Sequence, residues 1–434
     1  MKLETAKGVR DFPPEEKILR QNIVDMIRNV FERYGYNPIE TPLIERFETL
    51  SAKFAAGESS DAIKEIFRLK DQGKRDLGLR FELTLSFARF IGMNPQLKMP
   101  FKRYEIGRVF RDGPIKLGRY REFWQCDVDV VGSEDMSADA EMLSIATDVF
   151  RELNLDIIIE INNRKVLNGI LEFAEVPKLK SEQTIIIIDK LKKVGKDGVK
   201  KELKELKLND NSIKKILSLI NIDGTNDQIL NLLKKKLNNE ISKEGLEEMF
   251  QLLKYLKEFN VKVKFLPSLA RGLAYYTGPV YEVYLKNSKI TSSVVGGGRW
   301  DEMIGKFLGK GKYPATGLSF GLEPITEALK IKNEELKKSV TQVYIIPIKT
   351  RKECIKIIQE LRNNNIRSDI PLTDKGLSKC LDYANSFEIP YVLIVGEDEL
   401  KQKKLKLKDM KTGKEQMLSI KDVVRILKGE NKNE

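Results

Sequence analysis

Between residues 102 and 132 the chain carries two runs rich in aromatic and β-branched residues, RYEIGRVFRDG and FWQCDVDVVG, separated by a loop marked with Gly and Pro. Such runs favour extended backbone, and the break between them turns the chain back on itself. The spacing predicts a long antiparallel hairpin and commits this region to a sheet. Side chains alternate across a strand, so Gln125, Asp127 and Asp129 share one face. An amide and two carboxylates at period two are costly to bury against a core, which points to a pocket wall. Arg103, Arg108, Arg111, Arg119 and Arg121 lie on or beside the same hairpin, where a guanidinium can grip a phosphate through two N–H groups. A solvated, salt-bridged strand pair is the plainer alternative for these arginines.

The remaining text sorts into blocks. Apolar residues recur at helical spacing over residues 15–34, and Pro38 and Pro42 then bar a helix and suggest an extended edge or interface segment. A helix is expected over 141–153, followed by the strand LDIIIEIN. From about residue 177 to 259 the composition turns to Lys, Glu, Leu and Asn at helical period, which reads as a helical insertion. Strand-like text resumes at VKVKF and VYEVYL, and KIKNEELKKS is the best linker. Beyond it strand and helix patterns alternate, the signature of a small α/β domain with crossover helices. A length of 434 residues suits two or three such units.

Composition removes whole classes of chemistry. The chain has no His, which excludes a histidine base, relay or metal ligand and with them Ser-His-Asp and Cys-His catalysis. Its three cysteines, Cys126, Cys354 and Cys380, are far apart and lack CxxC spacing, which argues against disulfides and zinc. The amino terminus is charged where a signal peptide would be apolar, and no run approaches the roughly 20 apolar residues that span a bilayer. A cytoplasmic protein with no membrane partner is expected. A net charge of +13 suits a polyanionic partner, although much of the Lys is interleaved with Glu.

Three further constellations could carry chemistry. LRFELTLSFARF holds Glu82, Leu83 and Thr84; LARGLAYYTGPVYEV holds Arg271 before Tyr275 and Tyr276; and Gly296, Gly297 and Gly298 precede Arg299 and Asp301. A glycine run lets backbone approach a ligand closely, though most such runs are turns.

Taken in order, these segments resemble the class II aminoacyl-tRNA synthetases and, within them, the histidyl-tRNA synthetase family of the archaeal and eukaryotic kind. VFRDGPIKLGRYREFWQCDVDVVG looks like motif 2, with Arg111 as its arginine; ETPLIE looks like motif 1; RGLAYYTGPVYE and SVVGGGRWD resemble the two histidine signatures; GLSFGLEPI looks like motif 3. The resemblance implies an α+β fold: an antiparallel-sheet catalytic core over residues 1–329, interrupted by a helical insertion at about 172–259. A linker at 330–340 and an anticodon-binding α/β domain at 341–434 would follow. It implies ATP-dependent activation of L-histidine with Mg2+, transfer to tRNA(His), and a homodimer built on motif 1. Arg111 and Arg271 would be catalytic. Glu82, Leu83, Thr84, Arg111, Gln125, Asp129, Arg271, Tyr275 and Tyr276 would bind histidine; Arg111, Arg119 and Arg299 would bind ATP. No metal site made by protein alone is implied. Pro324 stands where the family carries the motif 3 arginine, and Ala274 where many relatives have Asp. The rival reading is a histidine-sensing relative, the regulatory subunit of ATP phosphoribosyltransferase, which typically lacks an anticodon-binding domain.

Overall fold

The computed structural model describes residues 2–51, 61–115, 118–271, 275–332 and 336–430. The hairpin forms as expected, with strands Phe101–Phe110 and Glu122–Val131 paired antiparallel over their whole lengths. Register sets Arg103 opposite Asp129, Glu105 opposite Asp127 and Gly107 opposite Gln125. Paired strands share their alternation, so these six residues lie on one face.

Around the hairpin grows a sheet in the order 37–38, 101–110, 122–131, 315–321, 295–299, 279–285, 157–163, 264–265. Neighbours run antiparallel except at the two margins, where Asn37–Pro38 and Lys264–Phe265 pair in parallel. Pro38 fits there because an edge strand can spare an N–H. The segment after it stays extended, and Ile44–Arg46 joins a small sheet with Arg68–Lys70 and Asp76–Leu79. Helix Met136–Glu152 begins at Asp135, whose side chain accepts from the Ser137 N–H. It buries Ala140, Leu143, Val149 and Phe150, and Phe150 stacks on Phe320 of the sheet at 6.2 Å.

The stretch read as an insertion is helical: Lys178–Asp189, Leu191–Glu205, Asp210–Ile220, Asn226–Lys236 and Glu240–Glu258. Its breaks have local causes. Gly195 interrupts one helix at φ 72°, and Asn209, Thr225 and Asn239 cap the starts of the later ones.

The chain falls into two compact units, one taking residues through Arg10 with Ile23–Lys332, the other Asp11–Asn22 with residues from 333 on. Nothing in the sequence announced that residues 11–22 group with the second unit. The expected linker at 330–340 lies partly outside the described residues. In the second unit the sheet order is 368–369, 343–347, 391–395, 405–409, 415–418, parallel in its first three strands and antiparallel in the rest. Val343 and Ile345 pack with Cys354, Ile358 and Val423, while Tyr344 and Ile346 pack with Cys380 and Ala384. Both faces are covered, as a parallel strand requires. Lys406 and Lys408 of KQKKLKLK reach Glu415 at 4.0 and 3.1 Å, as on a solvated strand. Among the described residues no helix is long and apolar enough to cross a membrane.

Candidate active site

The shared face of Gln125, Asp127 and Asp129 lines a small cavity of about 70 Å³. Glu82 and Thr84 reach it from the start of helix Thr84–Met93, Arg111 from the residue after strand Phe101–Phe110, and Arg271, Tyr275 and Tyr276 from the segment before strand Pro279–Leu285. Gly296, Gly297, Gly298, Trp300, Gly317, Leu318 and Ser319 complete the described lining. Two glycines permit close approach: a Cβ on Gly296 would collide with the Arg271 guanidinium, and one on Gly317 with the Asp129 carboxylate. The GGG run thus seats Arg271 as much as it lines the cavity.

Three buried acceptors on this face lack a hydrogen bond: Gln125 Oε1, Asp127 Oδ1 and Asp129 Oδ2. Gln125 Nε2 donates to Ser319 Oγ at 2.8 Å, leaving the amide oxygen as its unused end. Arg103 Nη2 comes within 2.7 Å of Asp129 Oδ2 but out of line for a hydrogen bond. Burial pushes the Asp127 carboxyl up to about 8 and that of Asp129 to about 6, against the pull of the Arg103 guanidinium. Unpaired acceptors in a dry site are expensive, and a ligand bringing N–H donors would relieve them.

Two cations share the cavity. Arg111 Nε donates to Phe81 O at 3.0 Å, and its guanidinium lies 5.1 Å from the Phe123 ring centre. Burial holds its pKa below the usual value, with Glu82 opposing. Arg271 Nη1 donates to Tyr281 O at 3.1 Å, and its guanidinium sits 5.5 Å from the Tyr276 ring centre. Burial works against the Arg271 charge, but Tyr276, Glu282 and Tyr275 outweigh it and its pKa is raised. Its backbone is left-handed at φ 42°, a conformation rare for a residue with a side chain. The rings of Tyr275 and Tyr276 stand 4.4 Å apart with hydroxyls at 3.3 Å, and burial raises both phenols so that they remain O–H donors.

Of the residues singled out in the sequence, Glu82, Thr84, Arg111, Gln125, Asp129, Arg271, Tyr275 and Tyr276 come together here. Leu83 does not line the cavity; its side chain is fully buried in the core. Arg119 is half-exposed on the hairpin loop, 3.8 Å from Glu65. Arg299 requires correction as an ATP ligand. It is 2% exposed, donates from Nε and Nη2 to Asp139 and from Nη1 to Ser133 O at 2.8 Å, and lies 3.5 Å from Asp301. A guanidinium so engaged has nothing to offer a phosphate. Of the other hairpin arginines, Arg103 is fully buried and therefore no phosphate grip, and Arg108 is exposed and pairs with Glu122 at 3.1 Å, as on a salt-bridged strand pair. Asp127 was placed on the right face by its spacing but given no role; it lines the cavity.

Pro324 lies in the first turn of helix Leu322–Ile331, where its missing N–H is tolerated, and a Cβ on Gly118 of the hairpin loop would touch it at 3.5 Å. A proline there offers no cation. Ala274 lies outside the described residues.

The chain matches the family model of histidyl-tRNA synthetase over residues 8–325 and that of an anticodon binding domain over 342–430. It is 44% identical over 423 residues to histidine–tRNA ligase 1 of Bacillus cereus, covering 96% of this chain and 95% of that one. It is 40% identical to the histidine–tRNA ligase of Clostridium tetani, with 97% of each chain covered. Among solved structures it resembles the histidyl-tRNA synthetase from Nostoc, with a TM-score of 0.87, 32% identity, and coverage of 99% of this chain and 100% of that one. These relatives are bacterial, so the archaeal and eukaryotic kind expected from the sequence is not supported. With both domains matched and the motifs gathered around one cavity, the chain belongs to the histidyl-tRNA synthetase family.

Proposed function

We propose that this chain is a histidine–tRNA ligase that activates L-histidine with ATP and transfers the histidyl group to the 3′ end of tRNA(His). One observation carries the reading: buried acceptors without partners and two arginines line the same small cavity. An imidazole brings N–H donors to the first and an α-carboxylate brings negative charge to the second. Glu82 and Thr84 would take the ammonium group, Arg111 and Arg271 the carboxylate and the α-phosphate it attacks. Two fixed guanidinium groups offset repulsion between those anions and stabilise the charge that builds during displacement, with no proton to move. That suits a chain without His.

ATP would extend past Arg111 towards Arg119 on the hairpin loop, with Phe123 near the same guanidinium. Magnesium would arrive with the triphosphate. Among the described residues no group of three carboxylates, Cys or His is placed to hold a metal, so phosphate oxygens and water would supply most of its ligands. The second unit would hold the anticodon stem of tRNA, and motif 1 would build a homodimer in the cytoplasm. The histidine-sensing alternative is disfavoured by the anticodon binding domain at residues 342–430.

Histidine-dependent exchange of pyrophosphate into ATP, followed by charging of tRNA(His), tests the reading. Both activities are expected with purified protein. Binding of histidine without exchange would leave a sensor rather than an enzyme.

A further inference from the structure

Asp127 belongs to no residue set that the family resemblance supplies, yet it is the group on the cavity wall whose charge is least answered. Glu105 is matched by Arg80 at 2.6 Å, and Asp129 by Arg103 at 2.7 Å. Asp127 is 2% exposed, lines the cavity, keeps Oδ1 without a hydrogen bond, and has no ion-pair partner of its own among the described residues. Charged and titratable groups face it from three directions: Arg103 and Glu105 from the first hairpin strand, Asp129 from its own strand, and Glu82 from the segment before helix Thr84–Met93. Strand Ala315–Gly321 sets Ser319 directly opposite Asp127, and its hydroxyl favours the Asp127 carboxylate against burial. Asp129 has Arg103, Glu105 has Arg80, and Glu82 shares the cavity with Arg111 and Arg271; Asp127, desolvated and with Oδ1 unbonded, is the carboxyl that keeps a proton in the empty cavity.

We propose that Asp127 is the specificity-determining residue that makes the cavity bind the ring as imidazolium, handing its own proton to the ring and then pairing with it beside Asp129. This rests on histidine being the substrate, as proposed above. The step balances: the carboxyl O–H of Asp127 breaks, a ring N–H forms, and neutral acid plus neutral imidazole become carboxylate plus imidazolium. No proton is exchanged with solvent. Both ring nitrogens then donate, one to Asp129 and one to Asp127, and Gln125 Oε1 flanks them. Free histidine carries a mostly neutral ring above its ring pKa of about 6.5. An enzyme that stores the proton can therefore bind it as a cation well above that pH. Burial raises the Asp127 carboxyl in the direction this requires.

The test is the KM for histidine in pyrophosphate exchange from pH 6.5 to 8.5, for wild type, Asp127→Asn and Ser319→Ala. Wild type should hold a flat KM to near pH 8 and then rise. Asp127→Asn should raise KM about tenfold at pH 7, with a smaller effect on kcat, and lose the break near pH 8. Ser319→Ala removes a donor that favours the carboxylate and should move the break to higher pH. The α-amino group of histidine titrates alike in all three, so the difference between curves is the readout. The same break in all three proteins, or an unchanged KM in Asp127→Asn, overturns the role of Asp127. Should Asp127→Asn fail to fold, Ser319→Ala decides alone, and an unmoved break overturns it. No exchange by wild type at any pH would instead defeat the underlying assignment of histidine as substrate.

Discussion

One sheet holds two buried polar clusters of opposite design. In the first, Arg299 donates to Asp139 and to Ser133 O, Asp139 also accepts from Tyr281, and Asp301 accepts from Ala315 N–H at 3.1 Å. Its charged groups are satisfied by the protein itself. In the second, Gln125, Asp127 and Asp129 present acceptors that the protein leaves unpaired. Both clusters hold buried carboxylates, so burial and charge alone do not separate a structural network from a binding site. The unmet hydrogen bonds do. The first cluster closes the fold around strand Val295–Arg299, and the second waits for a molecule that completes it.

If that contrast is right, damage to the two clusters reads out differently. The largest effect should come from the closed one. Arg299→Ala strands Asp139 as an uncompensated buried charge and should cost about 3–5 kcal/mol of stability, seen as a lower urea midpoint. A stable Arg299→Ala protein with a specific defect in ATP affinity would return Arg299 to the nucleotide site. Next in size is Arg271→Ala, which removes a cation aimed at developing charge. The adenylation rate should fall about 10²–10³-fold, as when a preorganised donor is lost, with histidine affinity changed much less. Equal losses in both would show ordinary substrate binding. Gln125→Leu sharpens the comparison further. Removing the unpaired acceptor together with the donor to Ser319 Oγ should cost no more than about 1 kcal/mol of stability, while weakening histidine binding by about 1–3 kcal/mol in calorimetric titration. A stability loss of about 3 kcal/mol or more would mark Gln125 as part of a closed network.

The last effect is the pH dependence of folding. The Asp127 carboxyl titrates higher in the folded protein, at about 8, than in an unfolded chain, where a carboxyl titrates near 3.9. The folded state therefore binds more protons across that window. The stability this group contributes is complete below the unfolded value and declines as pH rises through the folded one. Without ligand, wild type should lose stability from pH 6 to 8.5 faster than Asp127→Asn; parallel curves would show that Asp127 titrates normally.

How far each cluster could be read from sequence follows from the distances its partners span. The open cluster sits on one strand, so alternation alone put Gln125, Asp127 and Asp129 on one face, and the Gly/Pro loop located the turn. The strand and helix pattern of the second unit was legible for the same reason, since each element declares itself within about a dozen residues. The closed cluster was not legible. Arg299 meets Asp139 across 160 positions, through a helix packed on the sheet, and nothing local to GGGRWD announces that partner. Arg103 failed similarly: its strand position was clear, but the carboxylate opposite it depends on hairpin register. The GGG run read as a turn or as backbone open to a ligand, and only the seat of Arg271 showed that room for a side chain was also its use.

Equilibrium binding of L-histidine compared with β-(2-thienyl)alanine, a near-isostere whose ring has no N–H donor, bears most directly on the contrast between the two clusters. Histidine should bind at least about 10²-fold more tightly, because the thienyl ring would leave Gln125 Oε1, Asp127 Oδ1 and Asp129 Oδ2 buried and unpaired. Equal affinity for the two amino acids would contradict a site defined by its unmet acceptors.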